Sequence, residues 1–166
     1  MQKVYNENDF EPEDYLERPT VRCVVFNEDK KNVLLFGSLL VGGGVEEGES
    51  DEQAIIREAL EEAGAELEIL KPLGEIVSYR DETKKKYVSR GYLCKYIRKV
   101  SEPTTTAEDE INIKADWHDV NETINRIEGE IDDVLEKGEE YFGKDLFQTK
   151  LYNRRVNLDF IKEGLR

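Results

Sequence analysis

The succession of segments in this sequence predicts an α/β (α+β) fold, a sandwich in which helices cover a mixed β-sheet. Short β-branched apolar runs stand both before and after one strongly helical segment, and two more helical patterns close the chain. No internal repeat or low-complexity linker interrupts this succession, and 166 residues is a length that suits one domain rather than two. We therefore expect residues 1–166 to form a single domain.

Two strands and a glycine-rich loop are predicted ahead of the helical segment. Residues 1–18 are polar and acidic and form an N-terminal arm, which is either loose or a short strand packed on the body. VRCVVF (21–26) and NVLLF (32–36) are apolar and β-branched, and a polar turn separates them, so they are predicted as a hairpin. A short apolar run (38–41) then leads into the glycine-rich residues 42–48.

The helical segment has a clear beginning and a clear end. Ser50 is its predicted N-cap, since a serine side chain can accept a hydrogen bond from the first turn. Asp51 and Glu52 follow in that turn, where the helix dipole favours acidic side chains. Gly64 comes directly after the last helical residue, Ala63, and is typical of a helix C-terminus.

The remaining elements follow from the same patterns of periodicity and turn residues. Strands are predicted at residues 65–70, 74–79, 87–97 and 111–117, with a charged turn at 81–86 and a polar loop at 101–110. Helices are predicted at residues 120–137 and, as the C-terminal helix, at 146–165.

The net charge of −14 argues against a coat for a polynucleotide, which such a surface would repel. It fits either general solubility or a cluster of carboxylates that holds divalent cations, which would let an anionic substrate approach. The acidic N-terminus resembles no signal peptide, and no apolar run reaches the ~18 residues of a membrane span. Cys23 and Cys94 stand apart in apolar runs, as buried free thiols do. These features predict a cytoplasmic protein.

Three carboxylates share one side of the predicted helix. With Glu58 as the reference, Glu61 and Glu62 fall on the same arc of about 100°. Apolar side chains fill the neighbouring arc: Ile55, Ile56, Ala59, Leu60 and Ala63. A glutamate-rich helix of this kind ordinarily just faces solvent. A hard divalent cation such as Mg²⁺, which prefers oxygen ligands, would instead turn the mutual repulsion of these acids into a binding site.

The stretch from Gly43 to Ala65 resembles the signature of the Nudix hydrolase family (MutT-like). That signature is a glycine, five residues, a glutamate, seven residues and then R-E-U-x-E-E-x-G-U, where U is a bulky aliphatic residue. The chain has Gly43, Glu49 and REALEEAGA (57–65), so every fixed position is matched at the right spacing. It departs from the family in having Val41 where proline is common, and alanine at both U positions. We take residues 43–65 as the Nudix box.

The resemblance implies a Nudix-type α/β/α sandwich in which the box forms a loop-helix-loop catalytic motif that binds Mg²⁺ or Mn²⁺. Carried over by position, Glu58, Glu61 and Glu62 would be the metal ligands, with the backbone of Gly43 close to the metal.

The resemblance also implies roles for residues around these acids. Arg57 would orient a carboxylate, with Glu49 as its partner. The catalytic base would come from a carboxylate downstream of the box, where Glu108, Asp109 and Glu110 are candidates. Glu110 or Glu108 is favoured weakly, and Glu49 is a second choice.

The implied reaction is hydrolysis of a phosphoanhydride bond in a nucleoside diphosphate linked to another moiety. Substrate-binding candidates are Tyr79 and Arg80, which end a strand soon after the box, and Arg90 in the next strand, since these could stack on a base or pair with a phosphate. Pro72 lies too early to be the marker of ADP-ribose enzymes. A nucleoside triphosphate or dinucleoside polyphosphate is therefore slightly favoured over ADP-ribose or a nucleotide sugar.

Two other functions compete with hydrolysis. A Nudix fold that senses a nucleotide without cutting it is the main alternative, although such proteins usually lose acids that this box keeps. An isomerase of isoprenoid diphosphates would use a reactive cysteine, for which Cys94 would have to serve, and the intact box argues against it. The sequence predicts neither a nucleic-acid polymer nor a membrane as partner, and it leaves a homodimer open.

Overall fold

The computed structural model describes residues 1–6, 12–104 and 113–166. Within these residues the chain forms a mixed β-sheet of seven strands with helices packed against it, so the predicted α/β sandwich is confirmed. The strands are β1 (Gln2–Tyr5), β2 (Leu16–Phe26), β3 (Asn32–Phe36), β4 (Leu39–Leu40), β5 (Ala65–Arg80), β6 (Lys85–Lys99) and β7 (Ala115–Asp119).

The sheet combines parallel and antiparallel pairs. Its order is β1-β5-β6-β2-β3-β4, and β7 pairs with the edge of β3 opposite to β4. β1 runs parallel to β5 and β2 runs parallel to β6, whereas the other pairs are antiparallel. The long central pair of β2 and β6 therefore supports the site-bearing loops on one side and β5 on the other.

Strand β2 is longer than predicted, and the N-terminal arm contains a further short strand. β2 begins at Leu16, five residues before its apolar core, because it pairs with β6 in an unbroken parallel register from Leu16 to Phe26. The arm contains β1, and the amino group of Met1 donates to the Leu73 carbonyl at 3.0 Å. The short-strand alternative for the arm is thus confirmed for residues 2–5.

The two strands predicted at residues 65–70 and 74–79 are one strand, β5. Pro72, which lacks an N–H, lies within this strand, and irregularities in the pairing with β6 on both sides of it accommodate the missing donor. The strand predicted at residues 111–117 is β7, which begins at Ala115, and residues 111–112 lie outside the described part of the chain.

Three helices are described: α1 (Asp51–Glu58), α2 (Val120–Phe142) and α3 (Lys144–Leu165). α1 continues without a break into a wider π-helical turn, Ala59–Ala63, which ends at Gly64. α2 extends beyond the predicted residue 137 and is kinked at Gly138, where φ is 70°. The predicted C-terminal helix begins two residues early, at Lys144.

The sheet separates two apolar cores. Because side chains alternate along β2, Val21, Cys23 and Val25 pack in the core under α1, while Val24 and Phe26 pack in the core that contains residues of α2 and α3. Cys23 is a free, buried thiol, as predicted, and so is Cys94.

The apolar arc predicted for the helix is narrower than expected. α1 contacts the sheet through Ala54, Ile55 and Ala59, all fully buried, whereas Ile56 is 49% exposed. Including Ile56 in the apolar arc that packs on the body was wrong, because the sheet covers only one stripe of the helix. No helix in the described residues is long and apolar enough to cross a membrane.

The beginning of α1 gives a stability prediction. The Ser50 hydroxyl accepts from the Gln53 N–H at 3.2 Å, and the Gln53 side chain accepts from the Ser50 N–H at 2.8 Å, which together form a capping box. Ser50→Ala should lower the free energy of unfolding by about 1 kcal/mol in urea denaturation. The control Ser38→Ala, in an exposed turn, should change it by less than about 0.5 kcal/mol. Equal losses in both variants would contradict this role of the cap.

Candidate active site

The helix that carries the acidic residues ends in an unusual way. Residues Ala59–Ala63 form a π-helical turn, in which the hydrogen bonds span five residues instead of four. Gly64 then turns the chain with a φ of 59°, and a Cβ at this position would lie 2.2 Å from the Ser101 carbonyl oxygen. Since the wide turn changes the angle between successive side chains, Glu61 and Glu62 do not stand where α-helical arithmetic puts them relative to Glu58.

The glycine-rich loop lies directly against two of the carboxylates. The Gly42 N–H donates to Glu62 Oε2 at 2.8 Å. A Cβ on Gly43 would lie 2.3 Å from Glu58 Oε1, and a Cβ on Gly42 would lie 2.3 Å from the Val21 carbonyl oxygen. Glycine is therefore required at position 42, where φ is 134° and the backbone of β2 lies close, whereas at position 43 its absence of a Cβ leaves room for the Glu58 carboxylate.

Strand β2 holds this loop in place. The Val21 N–H donates to the Gly43 carbonyl at 2.9 Å, and the Cys23 N–H donates to the Val41 carbonyl at 2.8 Å. The Gly43 carbonyl, predicted as a backbone group near the metal, thus already has one donor. A carbonyl oxygen has two lone pairs, so one stays free for a second partner.

Arg57 lies at the centre of the acidic cluster. It binds Glu49 through two parallel hydrogen bonds of 2.9 Å from Nε and Nη2, the bidentate geometry that suits a guanidinium and a carboxylate. Its Nη1 donates to Glu58 Oε1 at 2.7 Å and to Glu61 Oε2 at 3.3 Å. Nη2 also reaches the Gly44 carbonyl at 2.8 Å, so Arg57 connects the helix with the loop.

The acids of the cluster differ in environment. Glu58 and Glu62 are buried, while the side chain of Glu61 is 40% exposed. Burial raises the pKa of Glu58, and the adjacent Arg57 guanidinium opposes that rise. The two hydrogen bonds from Arg57 lower the pKa of Glu49, which makes its carboxylate a weaker base.

Arg22 belongs to this site and was not among the predicted residues. Its Nη1 donates to the Gly42 carbonyl at 2.5 Å and to the Val21 carbonyl at 3.1 Å. Burial lowers the pKa of Arg22, and the charges of Glu62 and Glu58 oppose that effect. The only signal in the sequence was a charged residue inside the otherwise apolar strand VRCVVF.

The chemistry of these groups fits a hard divalent cation. Glu58, Glu61 and Glu62 supply carboxylate oxygens, the donors that Mg²⁺ prefers. The space beside the Glu58 carboxylate that a Cβ on Gly43 would fill is kept open by the glycine. As the side chains stand, however, no group of three or more acidic, histidine or cysteine side chains in the described residues is arranged to hold a metal ion. Arg57 occupies Glu58 and Glu61 instead, so binding a cation would require these contacts to rearrange.

The predicted substrate-binding residues do not converge on one face. Tyr79 is buried with its ring 5.9 Å from that of Tyr15. Arg80, the next residue of β5, points to the opposite face, toward α3. Arg90 pairs with Asp51 in the first turn of α1 at 2.8 Å, on the other side of the sheet from Arg80. The base candidates Glu108, Asp109 and Glu110 lie outside the described residues.

A family model matches most of the chain, and several solved structures share its fold. A protein-family model described as a NUDIX domain matches residues 16–137. A solved NUDIX hydrolase from Nitrosomonas europaea is 16% identical, with 85% of this chain and 90% of that one covered and a TM-score of 0.55. A MutT NUDIX hydrolase from Burkholderia pseudomallei is 21% identical, with coverage of 64% and 85% and a TM-score of 0.51. A structure of UDP-X diphosphatase is 15% identical, with coverage of 91% and 65% and a TM-score of 0.55. A comparison with curated protein sequences gives no match.

The burial of Glu58 leads to a prediction about stability and pH. A raised pKa means that the folded chain holds the proton of Glu58 more tightly than the unfolded chain does. The charged carboxylate therefore costs stability above its pKa, and this cost disappears as the pH falls through that pKa. Without divalent metal, Glu58→Gln, which can still accept from Arg57, should be more stable than the wild type at neutral pH, and the difference should shrink in acid.

Urea denaturation at a series of pH values, with chelator present, measures this difference. Glu66→Gln removes an exposed carboxylate just beyond the helix and serves as the control, from which no gain is expected. A Glu58→Gln variant that loses stability at neutral pH would show that the ion pair with Arg57 outweighs the cost of burial.

Proposed function

Because the chain belongs to the NUDIX domain family, we propose that it uses a divalent cation to hydrolyse a phosphoanhydride bond in a nucleoside diphosphate linked to another moiety. It is an enzyme that hydrolyses pyrophosphate bonds, and members of this family generally depend on a divalent metal. One observation carries the finer proposal: two buried carboxylates, Glu58 and Glu62, lie directly against the backbone of Gly42 and Gly43. The pocket formed by these carboxylates is therefore in direct contact with the glycine-rich loop.

The proposed metal site consists of the carboxylates of Glu58, Glu61 and Glu62, together with the free lone pair of the Gly43 carbonyl. Mg²⁺ or Mn²⁺ bound there would polarise the phosphoryl oxygens, neutralise developing charge and lower the pKa of the attacking water. Burial of Glu58 supports this assignment, since a buried carboxylate is costly unless a cation balances its charge.

Arg57 is proposed as a positioning residue. Its two bonds to Glu49 fix the plane of its guanidinium, and that plane in turn aims Nη1 at the carboxylates of Glu58 and Glu61. When a metal replaces these last contacts, the bond to the Gly44 carbonyl would still hold the loop against the helix.

The base that takes the proton from the attacking water is proposed to be a carboxylate of the loop downstream, with Glu110 preferred. Glu49 is the weaker candidate, because Arg57 occupies both of its oxygens and lowers its pKa. A carboxylate that is already paired and has a depressed pKa draws a proton less strongly from water.

The substrate proposed is a nucleoside triphosphate or a dinucleoside polyphosphate, ahead of ADP-ribose and nucleotide sugars. Among the three residues predicted to bind substrate, Arg80 is the proposed contact, since in the described residues its guanidinium bonds to the Asn153 amide and makes no ion pair within 4 Å. Arg90 is already paired with Asp51, and Tyr79 is buried against Tyr15, so both would first have to leave these contacts.

A substrate panel tests the proposal. Purified protein with Mg²⁺, and separately with Mn²⁺, is mixed with nucleoside triphosphates, dinucleoside polyphosphates, ADP-ribose, nucleotide sugars and NADH, and the products are separated by chromatography. Cleavage of a phosphoanhydride bond that chelator abolishes is the expected result. Tight nucleotide binding by calorimetry without any cleavage would identify a nucleotide sensor instead.

The variant Glu61→Gln connects any cleavage to the box. Loss of one of three metal-binding carboxylates should reduce turnover by at least about 100-fold, on the scale of removing a charge-stabilising group from an active site. Glu66→Gln, in which the exposed partner of Arg98 is changed, should retain wild-type activity. Near wild-type turnover in Glu61→Gln would contradict the assignment of Glu61 as a metal ligand.

Two adjacent glycines provide a matched pair of variants. The Cβ added by Gly43→Ala would meet Glu58 Oε1 at 2.3 Å, so the carboxylate must move, whereas Gly44→Ala points into open space. Since a shift of about 1 Å can cost about 100-fold in rate, Gly43→Ala should lose between about 10- and 100-fold in kcat/KM. Its melting temperature should change little, because the atom it displaces is the end of a flexible side chain. Equal activity of the two variants would contradict the role given to this contact.

A further inference from the structure

A polar cavity of about 120 Å³ lies between the sheet and α3. Strands β2, β5 and β6 form its floor, and α3 covers it. Its polar lining side chains include Thr20, Arg22, Arg80, Ser89, Asn153 and Asn157. The lining residues include two guanidiniums and no acidic side chain from the described part of the chain, although the whole chain has a net charge of −14.

Arg80 is the central feature of this cavity. Its side chain is only 3% exposed, and no carboxylate in the described residues lies within ion-pair distance of it. Nη2 donates to Asn153 Oδ1 at 3.1 Å, and Nη1 makes a long contact of 3.4 Å with the Tyr79 carbonyl. A guanidinium has five N–H donors, and in the described part of the chain these two contacts use two of them. A buried charge without a counter-ion is costly, and an incoming anion would remove that cost.

Two aromatic rings fix the orientation of Arg80. Its Cζ lies 5.2 Å from the ring centroid of Tyr87 and 4.8 Å from that of Tyr152. These contacts favour the cation through the ring faces and restrict the guanidinium plane. A planar fork held in one orientation can bind two oxygens of an anion with little loss of conformational freedom.

Arg22 is the second cation of the cavity and links it to the acidic cluster. Its Nη1 donates to the Gly42 carbonyl, and the Gly42 N–H donates to Glu62. The cavity therefore adjoins the same loop that lies against the carboxylates of the box. An anion between Arg22 and Arg80 would be placed beside the proposed metal site, yet separate from it.

The size and polarity of the cavity limit the chemistry of its occupant. Its volume is well below the roughly 300 Å³ at which cavities begin to enclose a whole drug-sized ligand. Besides the guanidiniums, it offers hydroxyl groups, including the hydrogen-bonded pair of Thr20 and Ser89, and the side-chain amides of Asn153 and Asn157. Compact size, positive charge and several donors together suit a phosphate group.

We propose that this cavity is a phosphate subsite, in which Arg80 and Arg22 bind a phosphate group that the substrate carries outside the anhydride bond that is cleaved. The identity of the anion as part of the substrate rests on the proposed function, whereas the subsite itself does not. A free phosphate ion would use the same chemistry, so the experiment has one arm for the site and one for the source of the phosphate.

The first arm measures binding of inorganic phosphate to the full chain by calorimetry, without metal or nucleotide. Saturable binding is expected in the wild type, with at least a tenfold loss of affinity in Arg80→Gln. Arg98→Gln, which removes an exposed arginine paired with Glu66, should bind like the wild type. Because Arg80→Gln could unfold part of the chain, a second variant is needed.

Asn153→Asp supplies that variant, since it places a carboxylate beside Nη2 of Arg80. The new counter-ion should keep or raise the melting temperature, yet weaken phosphate binding at least tenfold by occupying the guanidinium. Opposite changes of stability and affinity cannot come from a damaged fold. Absence of saturable phosphate binding in the wild type, or wild-type affinity in folded Asn153→Asp, would overturn the subsite.

The second arm compares hydrolysis of substrates that bear or lack a phosphate outside the cleaved bond. Asn153→Asp should raise KM at least tenfold for the first kind, more than it changes kcat, and leave KM for the second kind unaltered. Phosphate binding without this difference in KM would assign the site to a free anion and overturn its link to the substrate. Phosphate binding without any hydrolysis would refute the proposed function and leave the subsite standing.

Discussion

Repulsion among three carboxylates at the end of one helix is the constraint on which the site depends. Glu58 and Glu62 are buried, and Glu61 lies between them in the sequence, so the folded chain must offset a concentrated negative charge. Arg57 offsets part of it directly, and the N–H of Gly42 offsets another part. The Gly42 contact exists only while the loop lies against the helix, and the loop also orients Arg57 through Glu49 and the Gly44 carbonyl. The position of the loop therefore contributes directly to offsetting the charge of these carboxylates.

The sheet provides the rigidity that this arrangement needs. β2 holds the loop by backbone hydrogen bonds from Val21 and Cys23, and its side chains alternate between the two cores. The same alternation directs Arg22 away from the core under α1, so that its guanidinium reaches the Gly42 carbonyl. One strand thus fixes the loop, supports the helix and supplies a cation, and a shift of one residue in its register would disrupt all three.

Local patterns in the sequence predicted the box, the N-cap at Ser50 and most of the elements, because each depends on residues close together in the chain. Features that depend on distant pairing were not predictable in this way. The unbroken strand β5 arises because β6 tolerates the irregularities around Pro72. The burial of Arg80 arises because Tyr87 and Tyr152, far apart in sequence, meet around it. The π-helical turn left no local signal at all, since Ala59–Ala63 is composed of ordinary helix formers.

The distribution of charge reconciles an acidic protein with an anionic substrate. A net charge of −14 describes the surface as a whole, but a substrate in a cleft responds mainly to the charges nearest to it, because salt screens the others within about 10 Å. Arg22 and Arg80 lie inside the fold, where screening is weakest, and the carboxylates of the box would be balanced by bound cations. The acidic surface then repels competing polyanions in general, whereas the interior favours an anion small enough to enter. In the proposed function, selectivity would therefore depend on where the positive charge is buried more than on how much of it there is.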